Sequence, residues 1–191
     1  MLRKLSILSI LVLLLAACGG GAEAPAEEAE PAAEEAPADQ QPVTAMAQLQ
    51  PTEGNEVSGT VSFEETDGGV HITGQVTGLE ADSVHGFHVH QNGDCSAPDG
   101  TSAGGHFNPF DTAHGGPDSA EHHVGDLGNI TANAEGVADL DMTFDFLSLE
   151  DGAENSILGR GLIVHAGEDD FTSQPTGDAG ARLACAVIEK Q

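Results

Sequence analysis

Along residues 45–188 the apolar positions recur at every second residue, in short runs separated by turn-forming residues. Val70, Ile72 and Val76 alternate with His71, Thr73 and Gln75, as in a strand with one packed face and one wet face. Runs of this kind, or rich in β-branched residues, predict strands at 45–50, 56–64, 69–78, 85–90, 137–144, 158–165 and 182–188. Between them lie Thr52-Glu53-Gly54-Asn55, Asp67-Gly68-Gly69, Glu80-Ala81-Asp82-Ser83, Asn133-Ala134-Glu135-Gly136 and Asp151-Gly152, all of turn composition. No stretch of the domain holds a sustained helical apolar period. The expectation is an all-β, antiparallel sandwich or barrel. Two irregular stretches, 91–122 and 166–181, are longer than simple connections, and such loops in a compact domain are usually functional.

The N-terminal part does not share the alternation. Arg3 and Lys4 precede an apolar run from Leu5 to Leu15, and Leu15-Ala16-Ala17-Cys18 follows. A charged start, an apolar run too short to span a bilayer and small residues at a cut define a secretory signal, here 1–17. A cysteine at the cut resembles the lipobox of bacterial lipoproteins, and the resemblance implies that Cys18 becomes a lipidated N-terminus. Residues 18–44 are rich in Ala, Glu and Pro, with Glu23, Glu27, Glu28, Glu30, Glu34, Glu35 and Asp39 and no basic residue. That composition predicts a disordered linker, kept extended by its own charge. The folded domain is therefore assigned to 45–191.

The domain carries 25 acidic residues against Arg160, Arg182 and Lys190, a net charge of −22. This excludes nucleic acid and anionic lipid as partners of the domain surface. It also fits a high-salt environment, where screening relieves self-repulsion. With Cys18 assigned to lipid, only Cys95 and Cys185 remain, and export predicts that they form one disulfide. The expected location is the cell envelope, lipid-anchored on the exported side of a membrane, periplasmic or extracellular.

Candidate chemistry is concentrated in histidine. His85, His88, His90, His106, His114, His122 and His123 fall within one stretch, and only His71 and His165 lie outside it. Imidazole is the commonest metal-ligating side chain. Residues two apart in a strand face the same way, so His88 and His90 project together while Phe87 and Val89 face the core. His85 has the opposite phase and is expected to be a hydrogen-bonded structural residue. His106, His114 and His123, with Asp126 three residues on, make a closed set suited to structural zinc. His122 competes with His123 for that place, since adjacent residues point apart, and spacing leaves the choice open. His88, His90, His165 and one loop histidine would form an all-nitrogen set suited to Cu(II).

Five segments resemble the signature stretches of copper/zinc superoxide dismutase: Gly86-Phe87-His88-Val89-His90, Gly105-His106-Phe107-Asn108-Pro109, His114-Gly115-Gly116-Pro117, the run from His123 to Asn129, and the run from Gly180 to Cys185. The resemblance covers essentially everything from Ala45 onward. It implies an eight-stranded antiparallel Greek-key β-barrel (an Ig-like sandwich) with two long functional loops. It implies one Cu ion on His88, His90, His106 and His165 and one Zn ion on His106, His114, His123 and Asp126, with His106 shared. His122 is then a surface residue. Asp169, rather than Asp170, is implied to link His88 to His114 behind the metals. Arg182 would guide the substrate and Thr176 line its channel.

The implied reaction disproportionates superoxide to dioxygen and hydrogen peroxide. Copper cycles between oxidation states, and His106 carries a proton to the product. A catalytically weak copper/zinc-binding carrier is the alternative, disfavoured because Arg182 accompanies the full ligand set. Both monomer and homodimer fit the resemblance. Two departures stand out. Cys95 lies farther from His106 than in the better-known eukaryotic forms, as in bacterial ones. The stretch 167–180 carries Glu168, Asp169, Asp170 and Asp178 but no lysine, where family members often place one to steer the anion.

Overall fold

The computed structural model describes residues 42–191; the signal peptide, Cys18 and nearly all of the acidic linker lie outside them. The strands are β1 (Thr44–Pro51), β2 (Ser58–Thr66), β3 (Gly69–Thr77), β4 (Val84–His90), β5 (Asp126–Thr131), β6 (Ala138–Phe144), β7 (Gly161–His165), β8 (Arg182–Val187) and the short β9 (Glu189–Lys190). A single 3-10 turn, Thr101–Ala103, is the only helical element among the described residues, so none of them forms a helix able to cross a membrane.

Every pairing between named strands is antiparallel. Eight strands follow the order β5-β4-β7-β8-β1-β2-β3-β6, and β9 adds to β1. β5 and β6, consecutive in the chain, stand at opposite ends of that order and approach one another, so the sheet curls into a nearly closed barrel. The chain crosses from one half to the other between β3 and β4 and again between β6 and β7, which gives the Greek-key path.

Alternation produces the core directly. Ala45, Ala47 and Leu49 of β1, Val61 and Phe63 of β2, and Val70, Ile72 and Val76 of β3 all point inward. Phe87, Val89, Leu162 and Val164 complete the same cluster from β4 and β7. At roughly 25 cal/mol per Å² of apolar area removed from water, this continuous interior dominates the favourable side of folding.

Three strands differ from the sequence expectation, the two-residue β9 beyond position 188 being one of them. β7 begins at Gly161, because Gly159 turns the chain with φ 70 and the Arg160 amide closes back on the Ile157 carbonyl. β5 was not anticipated as a strand. Its sequence, Asp126-Leu127-Gly128-Asn129-Ile130-Thr131, lacks alternation because loops cover its outer face, and Gly128 sits at φ 87.

Cys95 and Cys185 are disulfide-bonded, as the sequence predicted. Closing a loop between residues 90 positions apart removes chain entropy from the unfolded state, on the order of 4–5 kcal/mol. The bond packs with Ala103 and Ile163, fastening the first long loop to the barrel wall.

Candidate metal centre

Four neighbouring strands, β5-β4-β7-β8, supply Asp126, the pair His88 and His90, His165, and Arg182 respectively. His88 is the cross-strand partner of Asp126, and His165 that of Arg182. Both registers shift at an irregularity, between Gly86 and His88 and between Val164 and His165, and such bulges re-aim side chains. His88 and His90 point away from the core yet are fully buried, because the two long loops lie over them. His106 joins from the first loop through an antiparallel bridge to His90, with Phe107 paired to the Val89 carbonyl.

Hydrogen bonding decides which nitrogen of each ring is free. Carbonyl and ionised carboxylate oxygens only accept, so a ring nitrogen bonded to one must carry the proton. His88 Nε2 donates to Asp169 Oδ2 at 2.7 Å, His90 Nδ1 to the Gly104 carbonyl at 2.9 Å, and His165 Nδ1 to the Gly180 carbonyl at 3.2 Å. The remaining lone pairs, on His88 Nδ1, His90 Nε2 and His165 Nε2, converge with His106 Nε2. The four residues offer ligand atoms all within 4.8 Å of one another. His90 Nε2 and His165 Nε2 face each other at 3.2 Å, and His88 Nδ1 and His106 Nε2 are buried with no hydrogen-bond partner. A cluster of buried lone pairs without donors is what a cation satisfies. The all-nitrogen set fits Cu(II).

A second set surrounds Asp126. His106 Nδ1 stands 2.7 Å from its Oδ1, His123 Nδ1 3.2 Å from Oδ1, and His114 Nδ1 3.0 Å from Oδ2. His114 Nε2 donates to Asp169 Oδ1 at 2.9 Å, leaving Nδ1 buried without a hydrogen bond. Three imidazoles and one carboxylate, again within 4.8 Å, fit four-coordinate zinc. His106 belongs to both sets, one nitrogen to each.

Asp169 links the two sets through His88 and His114 and is itself buried. Its backbone is gripped by Asn129, whose Oδ1 accepts the Asp169 N–H at 2.8 Å and whose Nδ2 donates to the Asp169 carbonyl at 2.9 Å. Gly177, at φ 66, passes so close that a Cβ there would collide with the Asp169 carboxylate and crowd His114. Asp170 instead caps its own loop, accepting from Thr172 and Ser173 amides. Asn129 lies inside a segment that the sequence singled out, but without a role; Gln174, which bonds the His114 backbone, lies in the second long loop, where the sequence pointed to Asp169 and Thr176 but not to it.

Arg182 donates from Nη1 to the Gly100 carbonyl at 2.6 Å and from Nη2 to the Gly104 carbonyl at 2.5 Å. Gly104 also accepts from His90, so one carbonyl separates the guanidinium from the all-nitrogen set. Thr176 is half-buried immediately before Gly177. His85 is buried, bonded to Ser83 and to the His165 carbonyl, and belongs to neither set. His122 turns away from both: its ring packs 4.4 Å from that of Phe146 and its Nδ1 donates to the His123 carbonyl. It is half-buried rather than free on the surface.

The electrostatics of the two donor sets pull in two directions. Burial lowers His165 to about 3, helped by the nearby His88, and lowers His106 to about 4 against the opposing pull of Asp126. Burial also lowers His90 well below its usual value. Burial works the same way on His114, but the charges of Asp126 and Asp169 and the hydrogen bond to Asp169 outweigh it and raise the ring to about 9. Burial opposes ionisation of Asp126 and Asp169 too, yet their histidine partners hold both well below the carboxylate range.

A group lowered on folding destabilises the fold when the unfolded chain takes up protons that the folded one refuses. For His90, His106 and His165 that happens as pH falls below about 6.5. His114 contributes stability that is complete below about 6.5 and is lost as pH rises through about 9. The chelated full-length chain is therefore expected to melt highest near neutrality and several degrees lower at pH 9, at roughly 2–4 °C per kcal/mol for a domain of this size. Metal-loaded protein, with those nitrogens already deprotonated, should lack the alkaline loss. Calorimetry across this range checks it; a flat alkaline limb in the chelated chain would contradict it.

Residues 57–188 match the family described as copper/zinc superoxide dismutase (SODC). The chain is 46% identical over 154 residues to a superoxide dismutase [Cu-Zn] of Paramecium bursaria Chlorella virus 1, covering 77% of this chain and 78% of that one. It is 48% identical over 140 residues to one from Cryptococcus neoformans var. grubii, covering 69% and 89%. It is 42% identical over 154 residues to an extracellular superoxide dismutase [Cu-Zn] of Brugia pahangi, covering 76% and 75%. Among solved structures, a double mutant of a SOD-like protein from Bacillus subtilis superposes with a TM-score of 0.69 at 37% identity, covering 75% of this chain and 96% of that one. Family match, barrel and paired donor sets agree, and the chain belongs to the copper/zinc superoxide dismutase family.

Proposed function

We propose that this protein disproportionates superoxide to dioxygen and hydrogen peroxide, with one copper held by His88, His90, His106 and His165 and one zinc by His106, His114, His123 and Asp126. The observation that carries the reading is the single buried imidazole, His106, standing in both donor sets. Bound copper supplies a one-electron couple, and bound zinc supplies fixed positive charge without redox chemistry. The protein's own part is positional. Asp169, His90's carbonyl partner and His165's carbonyl partner keep the metal-facing nitrogens free of protons. With Nδ1 of His106 directed at the Asp126 side, Nε2 is the atom able to take up and hand on a proton.

Arg182 draws the anionic substrate toward the copper-side set. Its guanidinium stays charged and offers a fork of donors, and the two glycine carbonyls hold it in place. Thr176 lines the approach. The chain's large negative charge works against this attraction at longer range. Arg182→Ala is expected to slow superoxide decay on the order of tenfold. The variant's rate should then rise with added salt, because only repulsion is left to screen. Decay kinetics at low and high ionic strength test this; an unchanged rate would remove Arg182 from substrate guidance.

Export is supported by the disulfide and by the signal-like N-terminus. Cys18 carries the lipid that anchors the protein to a membrane of the cell envelope. Metal analysis combined with a superoxide-decay assay on the full chain tests the whole reading. One copper, one zinc and fast decay support it. Tight binding of both metals without decay would instead identify a metal carrier.

A further inference from the structure

The residues around Asp126 are not all anchored in the same way. His106 is fixed by its bridge to β4, and Asp126 sits in β5. His123 and Asp126 lock each other, the His123 amide donating to Asp126 Oδ2 and the Asp126 amide to the His123 carbonyl. His114 lies in mid-loop, outside any strand. Among the described residues, neither its amide nor its carbonyl pairs with a main-chain group.

Both groups go instead to one side chain from the other long loop. Gln174 Oε1 accepts the His114 N–H at 2.9 Å, and Gln174 Nε2 donates to the His114 carbonyl at 2.9 Å. A carboxamide presents donor and acceptor as a peptide does, so Gln174 takes the place of a neighbouring strand. The loop that carries it is a closed turn. The Asp170 amide bonds the Gly177 carbonyl, the Gly177 amide bonds the Ser173 carbonyl, and the Asp170 carboxylate caps Thr172 and Ser173. Gln174 stands near the tip of that turn, while Gly177 at its base abuts the Asp169–His114 contact.

We propose that Gln174 is a positioning residue for the zinc-side set: by holding both backbone polar groups of His114, its carboxamide fixes that imidazole between Asp126 and Asp169. The inference rests on the reading of His106, His114, His123 and Asp126 as a zinc site. Gln174 touches no reacting atom and acts only through His114. Its removal leaves two backbone groups without partners and frees the one histidine of the set that has neither a strand or bridge nor a main-chain hydrogen bond behind it. The copper-side nitrogens are fixed by Gly104, Gly180 and Asp169, none of which bonds Gln174.

The test is Gln174→Met in the full chain, which keeps the side-chain length and removes both hydrogen bonds, with Thr172→Ala in the same turn as control. Chelator competition should show zinc held about 10- to 100-fold less tightly in Gln174→Met, the range typical of residues that orient a metal ligand. Cobalt(II) placed in the zinc-side set should give altered visible bands, and the His114 amide should exchange faster in the metal-free chain. Copper affinity and the Thr172→Ala control should be unchanged. Wild-type zinc retention and cobalt bands in Gln174→Met would overturn the proposal. Equal loss of copper and zinc with a lowered melting temperature of the metal-free chain would also overturn it, since that signals general loop support. A wild-type chain that takes neither zinc nor cobalt at this set would refute the site reading itself, and the inference with it.

Discussion

In His106→Ala, both metals are weakened together and superoxide decay falls to the level of the metal-free chain. His106 is the only residue in both donor sets, and its two ring nitrogens face opposite sides. Residues that merely orient a ligand typically cost 10- to 100-fold in metal affinity, so losing a shared ligand is expected to exceed about a hundredfold at each site. His165→Ala provides the contrast. That residue belongs to the copper-side set alone, so copper weakens and zinc stays. Metal content after dialysis, with chelator competition for each metal, measures both variants. If both changes released only copper, the bridging assignment would be wrong.

Asp169→Asn is expected to weaken zinc by about 10- to 100-fold and to loosen copper as well. Its two carboxylate oxygens accept protons from His88 Nε2 and His114 Nε2. An asparagine keeps the shape but offers one acceptor oxygen and one donor amide. One imidazole must then leave a buried donor unpaired, at about 1–3 kcal/mol, or move its proton to the nitrogen that faces the metal. Either outcome opposes metal binding. Burial and the Asn129 clamp prevent the backbone from shifting to relieve the conflict. Zinc titration into the metal-free variant is the measurement, and wild-type affinity would show that His88 and His114 are oriented by other groups.

Much of the architecture is legible before any coordinates. The period-two pattern of Val70, Ile72 and Val76 is a local property of an extended backbone, and it survives intact in β3. The same rule puts His88 and His90 on one face and Phe87 and Val89 on the other. β5 escapes the rule because both its faces are covered, so burial no longer distinguishes alternate residues. β7 starts late for a different reason, a glycine turn at a position where the apolar composition continues unbroken.

The site divides along the same line. Ligand chemistry is intrinsic to residue type, and the family segments carry His88, His90, His106, His114, His123, Asp126 and Arg182 in their order along the chain, with His165 and Asp169 between the last two segments. An antiparallel β domain, a histidine-based pair of metal sets and a single disulfide follow from the amino acids alone. The folded chain decided what depends on partners far away in sequence. Which nitrogen of His88, His90 and His165 is free rests on Gly104, brought in by the first long loop, and on Asp169 and Gly180, brought in by the second. The orientation of His122 toward Phe146 and of His123 toward Asp126, and the grip of Gln174 on His114, have the same origin. Local periodicity reports only where a side chain points from its own backbone. A ligand's proton, and hence its use, is set by whichever acceptor the barrel's strand order places against the other side of its ring.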